Sequence, residues 1–196
     1  MDMGRAPALI AASGLALAAL LGAGAAAKDA GPHSGYIVPA AAGSAEDPAL
    51  RPPLPPGLTF LDGTGMPIPL AHFRGQVLLM NFWATWCAPC IKEMAFLNRL
   101  QGDLKGEPLR VLAISEDRGG IPVAKTFLDK QKLPFLHPYA DPTMALAEAL
   151  NVQGLPTSLI VDKQGRLVQR VEGPYEWDNP PIVARFRQLL AEAPPP

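Results

Sequence analysis

Two cysteines, Cys87 and Cys90, lie three positions apart and are the only ones among 196 residues. An apolar run over residues 77–84 predicts a strand just before them, and apolar residues at helical spacing follow them. On the first turn of a helix, side chains three apart lie about 5–6 Å from each other at Cβ, close enough for a disulfide. The helix start also presents unpaired N–H groups that stabilise a thiolate, above all at Cys87. Together with Pro89, whose fixed φ suits a first helical turn, this pattern predicts thiol–disulfide exchange.

Two structural interpretations of the cysteine pair compete with redox chemistry. A zinc site needs two further ligands, but the histidines, His33, His72 and His137, are scattered singly along the chain. A purely structural disulfide would close a loop too short to stabilise the fold much, since that gain grows with loop length. Redox chemistry is therefore the favoured interpretation, and no metal ligand set is predicted.

The amino-terminal part of the chain is predicted to direct export. Residues 6–27 carry no charge and include an apolar centre followed by three alanines, which is typical of a cleaved signal peptide. The same run is long enough to span a bilayer, so a retained membrane anchor over residues 1–27 stays open. Residues 28–56 are rich in proline and glycine and predict a partly extended tether, which leaves residues 57–196 as one domain.

Composition narrows the function classes further. A net charge of −1 gives no electrostatic footprint for nucleic acid. The absence of any cysteine outside the pair suits an oxidising compartment, where a spare thiol would mispair.

Strand and helix patterns alternate through the predicted domain. Residues 58–70 form a lead-in with turns at 62–63 and near 65, and the helix after the cysteines is striped by Met94, Leu97, Leu100 and Leu104. The elements that follow are a strand at 109–114, a helix opening at Pro122, an extended piece at 135–139, a helix at 141–150 capped by Asp141, a hairpin of strands 157–161 and 167–171, and a helix over 182–190. This order predicts an α/β fold with a central mixed β-sheet and helices on both faces.

With the sequence WCAPC after one strand and GLPT at 154–157 before another, the chain resembles the thioredoxin superfamily over roughly residues 58–190. Further segments are similar to TlpA-type membrane-tethered thiol-disulfide oxidoreductases of the bacterial periplasm. These are FRG at 73–75, Glu93-Met94, SEDRGG at 115–120, and GP at 173–174 with EWD at 176–178.

The resemblance implies a role for each residue of the site. Cys87 would attack a disulfide, Cys90 would resolve the mixed disulfide, and Pro156 would be cis, turning the Leu155 backbone outward to pair with substrate like a short strand. The other residues expected to border the substrate are Trp86, Ala88 and Pro89.

The resemblance also implies the molecular setting. No cofactor is expected beyond the redox-active disulfide. The expected location is the periplasm, either free after signal cleavage or anchored to the inner membrane. The expected partners are exported proteins with disulfides, including copper-site proteins, and a membrane electron donor.

One position departs from the thioredoxin pattern. Thioredoxin-like chains commonly carry an aspartate beneath the resolving cysteine, and this sequence has Asn81 there. Since an amide cannot accept the Cys90 proton, the acceptor must be water or another carboxylate, and Glu93 and Glu116 are the candidates. The simpler expectation for Glu93 is a solvated helix residue.

Several functions stay open at this stage. The leading one is a reductant of protein disulfides, because the Ala-Pro spacer carries no donor to favour a strongly oxidising pair. The resemblance to TlpA-type proteins implies that it acts in assembly of a copper-containing respiratory oxidase. Cytochrome c maturation or general disulfide exchange is the near alternative. A copper-binding assembly module would draw its ligands from Cys87, Cys90, Met94 and His137. A peroxidase would use Thr85 to Cys87 and would need an arginine beside the thiolate.

Overall fold

The computed structural model describes Met1, the backbone of residues 36–38, and residues 47–193. The predicted signal or anchor therefore lies outside the described residues apart from Met1. The strands are β1 (Tyr36–Val38), β2 (Thr59–Leu61), β3 (Pro67–Pro69), β4 (Val77–Trp83), β5 (Leu109–Ser115), β6 (Tyr139–Ala140), β7 (Thr157–Val161) and β8 (Leu167–Glu172). The helices are α1 (Ala88–Asp103), α2 (Gly120–Lys130), α3 (Ala145–Ala149) and α4 (Pro180–Ala191). Within these ranges no helix combines the length and the apolar character needed to cross a bilayer.

All eight strands form one mixed sheet in the order β1-β8-β7-β4-β5-β6-β2-β3. The central strand β4 pairs parallel with β5 and antiparallel with β7, with Trp83 opposite Ser115 and Phe82 opposite Thr157. The predicted strands around residues 77–84 and 109–114 and the hairpin of β7 and β8 are confirmed. The ends of β4 and β5 and the start of β7 therefore meet at one edge of the sheet.

Helices cover both faces of the sheet, as predicted. Every residue of β4 is buried, because alternate side chains enter two separate cores. The first core packs α1, α2 and α4 against the sheet, and the α1 stripe predicted from the sequence is buried in it. The second core packs α3 and the turn at 70–73. The fold is thus the predicted mixed sheet between helical layers.

The extents of several predicted elements differ from those observed. The lead-in contains a hairpin, β2 and β3, beyond its turns, and only residues 139–140 of the predicted extended piece form a strand. Helix α2 begins at Gly120, two residues before Pro122. Helix α3 begins at Ala145, because Met144 adopts a left-handed conformation with φ of 60°. Asp141 still caps that helix, accepting N–H bonds from residues 145–147.

Part of the predicted tether belongs to the folded domain. Residues 36–38 pair antiparallel with β8. Arg51 is buried and forms ion pairs with Asp162 at 3.3 Å and Glu192 at 2.6 Å. Pairing with β8 fixes residues 36–38, and the ion pairs of Arg51 fix the chain around residue 51, although neither stretch has apolar periodicity. The prediction of a tether is therefore wrong for residues 36–38 and for the chain around residue 51. Residues 28–35 and 39–46 of the predicted tether lie outside the described residues.

Candidate active site

Cys87 and Cys90 are joined by a disulfide at the start of α1, with their Cα atoms 5.3 Å apart. The chain leaves β4 at Trp83 and turns through a bond from the Cys87 N–H to the Ala84 carbonyl. Cys87 is the N-cap residue, and its Sγ accepts a hydrogen bond from the Cys90 backbone N–H at 3.4 Å. The same N–H would stabilise a thiolate at Cys87 after reduction.

The two sulfur-bearing residues differ in their access to solvent. Cys87 is 6% exposed and Cys90 1% exposed. Trp86 is 71% exposed, and both Ala88 and Pro89 are also exposed. The structure thus places the three expected substrate-bordering residues beside the more accessible cysteine.

Asp117 braces the turn that precedes Cys87, a contact that the sequence reasoning missed. Its carboxylate accepts hydrogen bonds from the Thr85 backbone N–H at 2.9 Å, the Thr85 hydroxyl at 2.8 Å and the Ser115 hydroxyl at 2.8 Å. The only feature of the sequence that could have indicated this contact is the position of Asp117 just after β5, the strand that pairs with β4. In the peroxidase alternative Thr85 would belong to a peroxide pocket, but its hydroxyl donates to Asp117 instead.

The loop before β7 carries the cis peptide bond that the resemblance implied, between Leu155 and Pro156. Pro156 is buried, and its carbonyl accepts a hydrogen bond from the Gly173 N–H at 2.9 Å. Leu155 is partly buried and contacts both cores. This loop lies at the same sheet edge as Cys87, because Thr157 pairs with Phe82 near the end of β4.

Glu93 is buried, so its expectation as a solvated helix residue is wrong. It is 1% exposed, and its carboxylate accepts a hydrogen bond from the Trp177 indole N–H. The Asn81 side-chain amide lies 3.4 Å from the other carboxylate oxygen and also donates to the Ser158 hydroxyl at 2.9 Å. Asn81, which cannot itself accept the Cys90 proton, therefore contacts the carboxylate that could.

The environment of Glu93 changes its acidity. Burial raises the pKa of Glu93 to about 7, although hydrogen bonds from Trp177, Asn81 and the Tyr175 backbone oppose the rise. A carboxyl group with this pKa can take up or release a proton near neutrality. The burial of Glu93 could have been predicted from helical spacing, because position 93 falls on the face of α1 that also carries Cys90, Leu97 and Leu100.

The structure does not bring Glu116 to the cysteines by any hydrogen bond among the described residues. Glu116 is buried, and neither carboxylate oxygen has a hydrogen-bond partner there. Burial, followed by the charges of Asp141 and Asp117, raises the pKa of Glu116 to about 8. Glu93 shares the buried face of α1 with Cys90, so it is the better placed of the two candidates.

The ligands of the alternative copper site are not assembled. Met94 shares a core with Cys87 and Cys90, but His137 lies in the loop before β6. Partial burial and then the charge of Arg110 lower the pKa of His137, and Arg110 lies at the end of β5 away from the cysteines. Across the described residues, no group of three or more His, Cys, Asp or Glu side chains is arranged to hold a metal ion.

A groove of about 350 Å³ runs beside the cysteine pair. One wall is the first half of α1, including Pro89, Glu93 and Phe96, and the other is residues 174–176 of the loop between β8 and α4. We call this the α1 groove. Its lining is mostly apolar, and Glu93 is the buried acid within it.

Comparisons with known proteins agree with this geometry. A protein-family model described as the AhpC/TSA family matches residues 53–170. The thiol-disulfide oxidoreductase ResA of Bacillus thuringiensis subsp. konkukian is 35% identical over 119 residues, which are 60% of this chain and 67% of ResA. A secreted thiol-disulfide isomerase from Corynebacterium glutamicum superposes with a TM-score of 0.62 at 26% identity, covering 74% of this chain and 90% of that one.

A thioredoxin family protein from Chlorobium tepidum, a thiol:disulfide interchange protein, supports the fold alone. It superposes with a TM-score of 0.58 at 23% identity and covers 72% of this chain and 98% of its own.

Proposed function

Because the chain belongs to the AhpC/TSA family of thioredoxin-like proteins and is a thiol-disulfide oxidoreductase, we propose that it acts as a reductant of disulfides in exported proteins. The observation that carries the proposal is the asymmetry of the pair: Cys87 lies at the helix start next to the exposed Trp86, and Cys90 is more deeply buried, on the same face of α1 as the buried acid Glu93.

The first step is attack by the Cys87 thiolate on one sulfur of a substrate disulfide. A new S–S bond forms between Cys87 and the substrate, the substrate disulfide breaks, and its other sulfur leaves as a thiolate that takes a proton from water. Cys87 is the more accessible cysteine and follows the exposed Trp86, so the substrate sulfur would approach from this side.

The second step is resolution by Cys90. Its thiol gives a proton to the Glu93 carboxylate and then attacks the Cys87 sulfur. The Cys87–Cys90 disulfide forms, and the second substrate sulfur leaves as a thiolate. Two electrons have then passed from the protein dithiol to the substrate disulfide.

The direction of electron flow is supported by the spacer. A strongly oxidising pair needs a heavily stabilised thiolate, as in DsbA with a pKa of about 3.5 and a potential of about −120 mV. Ala88 and Pro89 carry no side-chain donor, and the Cys87 sulfur accepts from the Cys90 backbone N–H. We therefore expect a thioredoxin-like potential of about −200 to −270 mV.

Re-reduction of the pair requires a dithiol donor that returns two electrons, and we propose a membrane protein for this role. The entry point of the chain supports the proposal. Tyr36 pairs with Glu172, and the next residue, Gly173, donates to the Pro156 carbonyl, so the amino-terminal segment joins the domain at the edge that carries the cysteines. If the amino-terminal segment is retained as an anchor in the inner membrane, it would hold this edge of the periplasmic domain near the membrane.

We propose copper-site proteins of a respiratory oxidase as the substrates, on the similarity to TlpA-type oxidoreductases. Thiol pairs must be reduced before they bind copper. A deletion strain should lose assembled copper oxidase and recover it with added copper or reductant. Normal oxidase together with missing cytochromes c would contradict these substrates and select cytochrome c maturation.

Direct capture supplies a second test of the proposed substrates. A Cys90→Ser variant keeps the attacking thiol but cannot resolve the mixed disulfide, so it should accumulate covalent complexes with its substrates. Cys87→Ser is the matched control and should capture none. Complexes that contain only proteins without metal sites would contradict the proposed substrate class.

A further inference from the structure

Trp177 contacts the buried acid of the site from the far side of the α1 groove. It lies between β8 and α4, is 0% exposed, and donates its indole N–H to one oxygen of Glu93. The Asn81 amide approaches the other oxygen from β4 at 3.4 Å. The carboxyl group is therefore held from two different elements.

The loop that carries Trp177 is itself fixed at several points. The next residue, Asp178, forms an ion pair with Arg99 of α1. Asn179 caps α4, accepting a hydrogen bond from the Ile182 N–H at 3.1 Å. The ring of Tyr175 packs on the indole with centroids 4.9 Å apart. The position of the indole N–H is thus set by α1 and α4 together.

We propose that Trp177 is a positioning residue for the resolving step, holding the Glu93 carboxyl group where it can accept the thiol proton of Cys90. The inference rests on the proposed role of Glu93 as proton acceptor. Each carboxylate oxygen has two lone pairs, so the bonds from Trp177 and Asn81 leave acceptor capacity for the thiol. Cys90 and Glu93 lie three apart on α1, which places their Cβ atoms about 5–6 Å apart.

The same hydrogen bond keeps the buried acid able to ionise. Burial raises the pKa of Glu93, and the bond from Trp177 is the largest of the effects that oppose it. Loss of that bond would raise the pKa further and leave fewer ionised carboxylates at neutral pH. Glu93 accepts hydrogen bonds from the neutral Asn81 on β4 and from Trp177 and the Tyr175 backbone on the loop. The charged side chains that line the same groove are Lys92 on α1 and Glu176 on the loop, and Cys90 shares the buried face of α1 with Glu93.

The experiment compares Trp177→Phe with the parent protein and with Trp83→Phe. Trp83 is the control. It is as buried as Trp177, but its indole N–H has no hydrogen-bond partner among the described residues, so its replacement removes no such bond. The titration midpoint of Glu93 is followed by carbon-13 carboxyl NMR, with its signal assigned by Glu93→Gln. We expect Trp177→Phe to raise the midpoint by about one pH unit and Trp83→Phe to leave it unchanged.

The rate of resolution is measured on the same variants. The reduced protein is mixed with Ellman's reagent, which leaves one thionitrobenzoate on Cys87, and its release by Cys90 is followed against pH. Below the midpoint Trp177→Phe should release it about tenfold more slowly, with the rates converging at high pH. If the variant loses its fold, benzothienylalanine at position 177 removes the N–H while keeping the ring shape.

The outcomes separate the two proposals. An unchanged Glu93 midpoint in the position 177 variants, with slow release in Glu93→Gln, overturns the role of Trp177 and leaves Glu93 as the acceptor. Release at the parent rate in Glu93→Gln overturns Glu93 as the acceptor and the positioning role with it.

Discussion

Cys87 and Cys90 are chemically identical side chains in different surroundings. The sulfur of Cys87 caps α1 and accepts a hydrogen bond from the Cys90 N–H, whereas Cys90 lies within the first turn of the helix and is the more deeply buried of the two. A thiolate at a helix start is stabilised by the unpaired N–H groups, and a thiolate in an apolar environment is not.

This difference predicts which thiol reacts first in the reduced protein. Iodoacetamide labelling against pH, with each site quantified by mass spectrometry, should show Cys87 alkylated at lower pH and faster than Cys90. The Cys90→Ser variant should keep the labelling curve of Cys87. Alkylation of Cys90 at the lower pH would reverse the assignment of attacking and resolving cysteines.

Glu116 gives a stability prediction at the same scale. Its folded-state pKa of about 8 lies above its ordinary value of 4.5, so the folded protein keeps a proton that the unfolded chain releases. The free energy of unfolding should therefore fall as the pH rises through this window. In Glu116→Gln the free energy of unfolding should lack this dependence. The stability of the variant relative to the parent should therefore increase by about 2 kcal/mol from about pH 5 to about pH 8.

Urea unfolding of the oxidised protein at both pH values measures this change. Glu107→Gln, which alters an exposed acid, is the control and should show no such dependence. A constant difference between Glu116→Gln and the parent at the two pH values would contradict the buried, protonated state of Glu116.

Residue types and spacing were enough to predict the cysteine pair, but only part of its surroundings. Helical periodicity already places Glu93 on the buried face of α1. The indole that covers it comes from residue 177, and no local pattern indicates a contact across 84 positions. The Asp117 brace was missed for the same reason, since it joins residues 32 positions apart.

At the scale of elements, the sheet and its helices followed from the alternation of apolar runs, while the ends of elements did not. Helix α3 starts late because Met144 takes a left-handed conformation, which no propensity favours for methionine. The ordered part of the predicted tether depends on Arg51, whose ion pairs reach residues 162 and 192. A proline-rich segment has no periodicity from which such contacts could be predicted.

Arg51 should therefore be important for stability. Its side chain is 0% exposed and joins the β7–β8 turn to the end of α4. Arg51→Ala removes the ion pair with Glu192, whereas Asp162 keeps its pair with Arg166 at 2.9 Å, so the free energy of unfolding should fall by about 2 kcal/mol. Lys125→Ala, which breaks the exposed pair with Asp129, should cost less than about 1 kcal/mol.

Denaturant unfolding of both variants provides the measurement. Equal and small losses would show that residues 47–56 do not contribute to the stability of the domain. A loss confined to Arg51→Ala would place the functional amino-terminal boundary of the domain before residue 51.

At the scale of the whole molecule, a reactive cysteine pair, a buried acid and an apolar groove lie together at one edge of the sheet. The amino-terminal segment joins the domain at that edge as well. The proposed reductant must contact its substrates and also the membrane donor that supplies its electrons. In this arrangement both contacts would take place at the same edge of the sheet.

The redox potential of the Cys87–Cys90 pair tests the central claim most directly. The protein is equilibrated with buffers of reduced and oxidised glutathione, and the fraction of disulfide is measured after acid quenching and thiol labelling. We expect a potential of about −200 to −270 mV, because the Ala88-Pro89 spacer carries no side-chain hydrogen-bond donor for the Cys87 thiolate. A potential above about −150 mV would make the protein an oxidant and contradict the account.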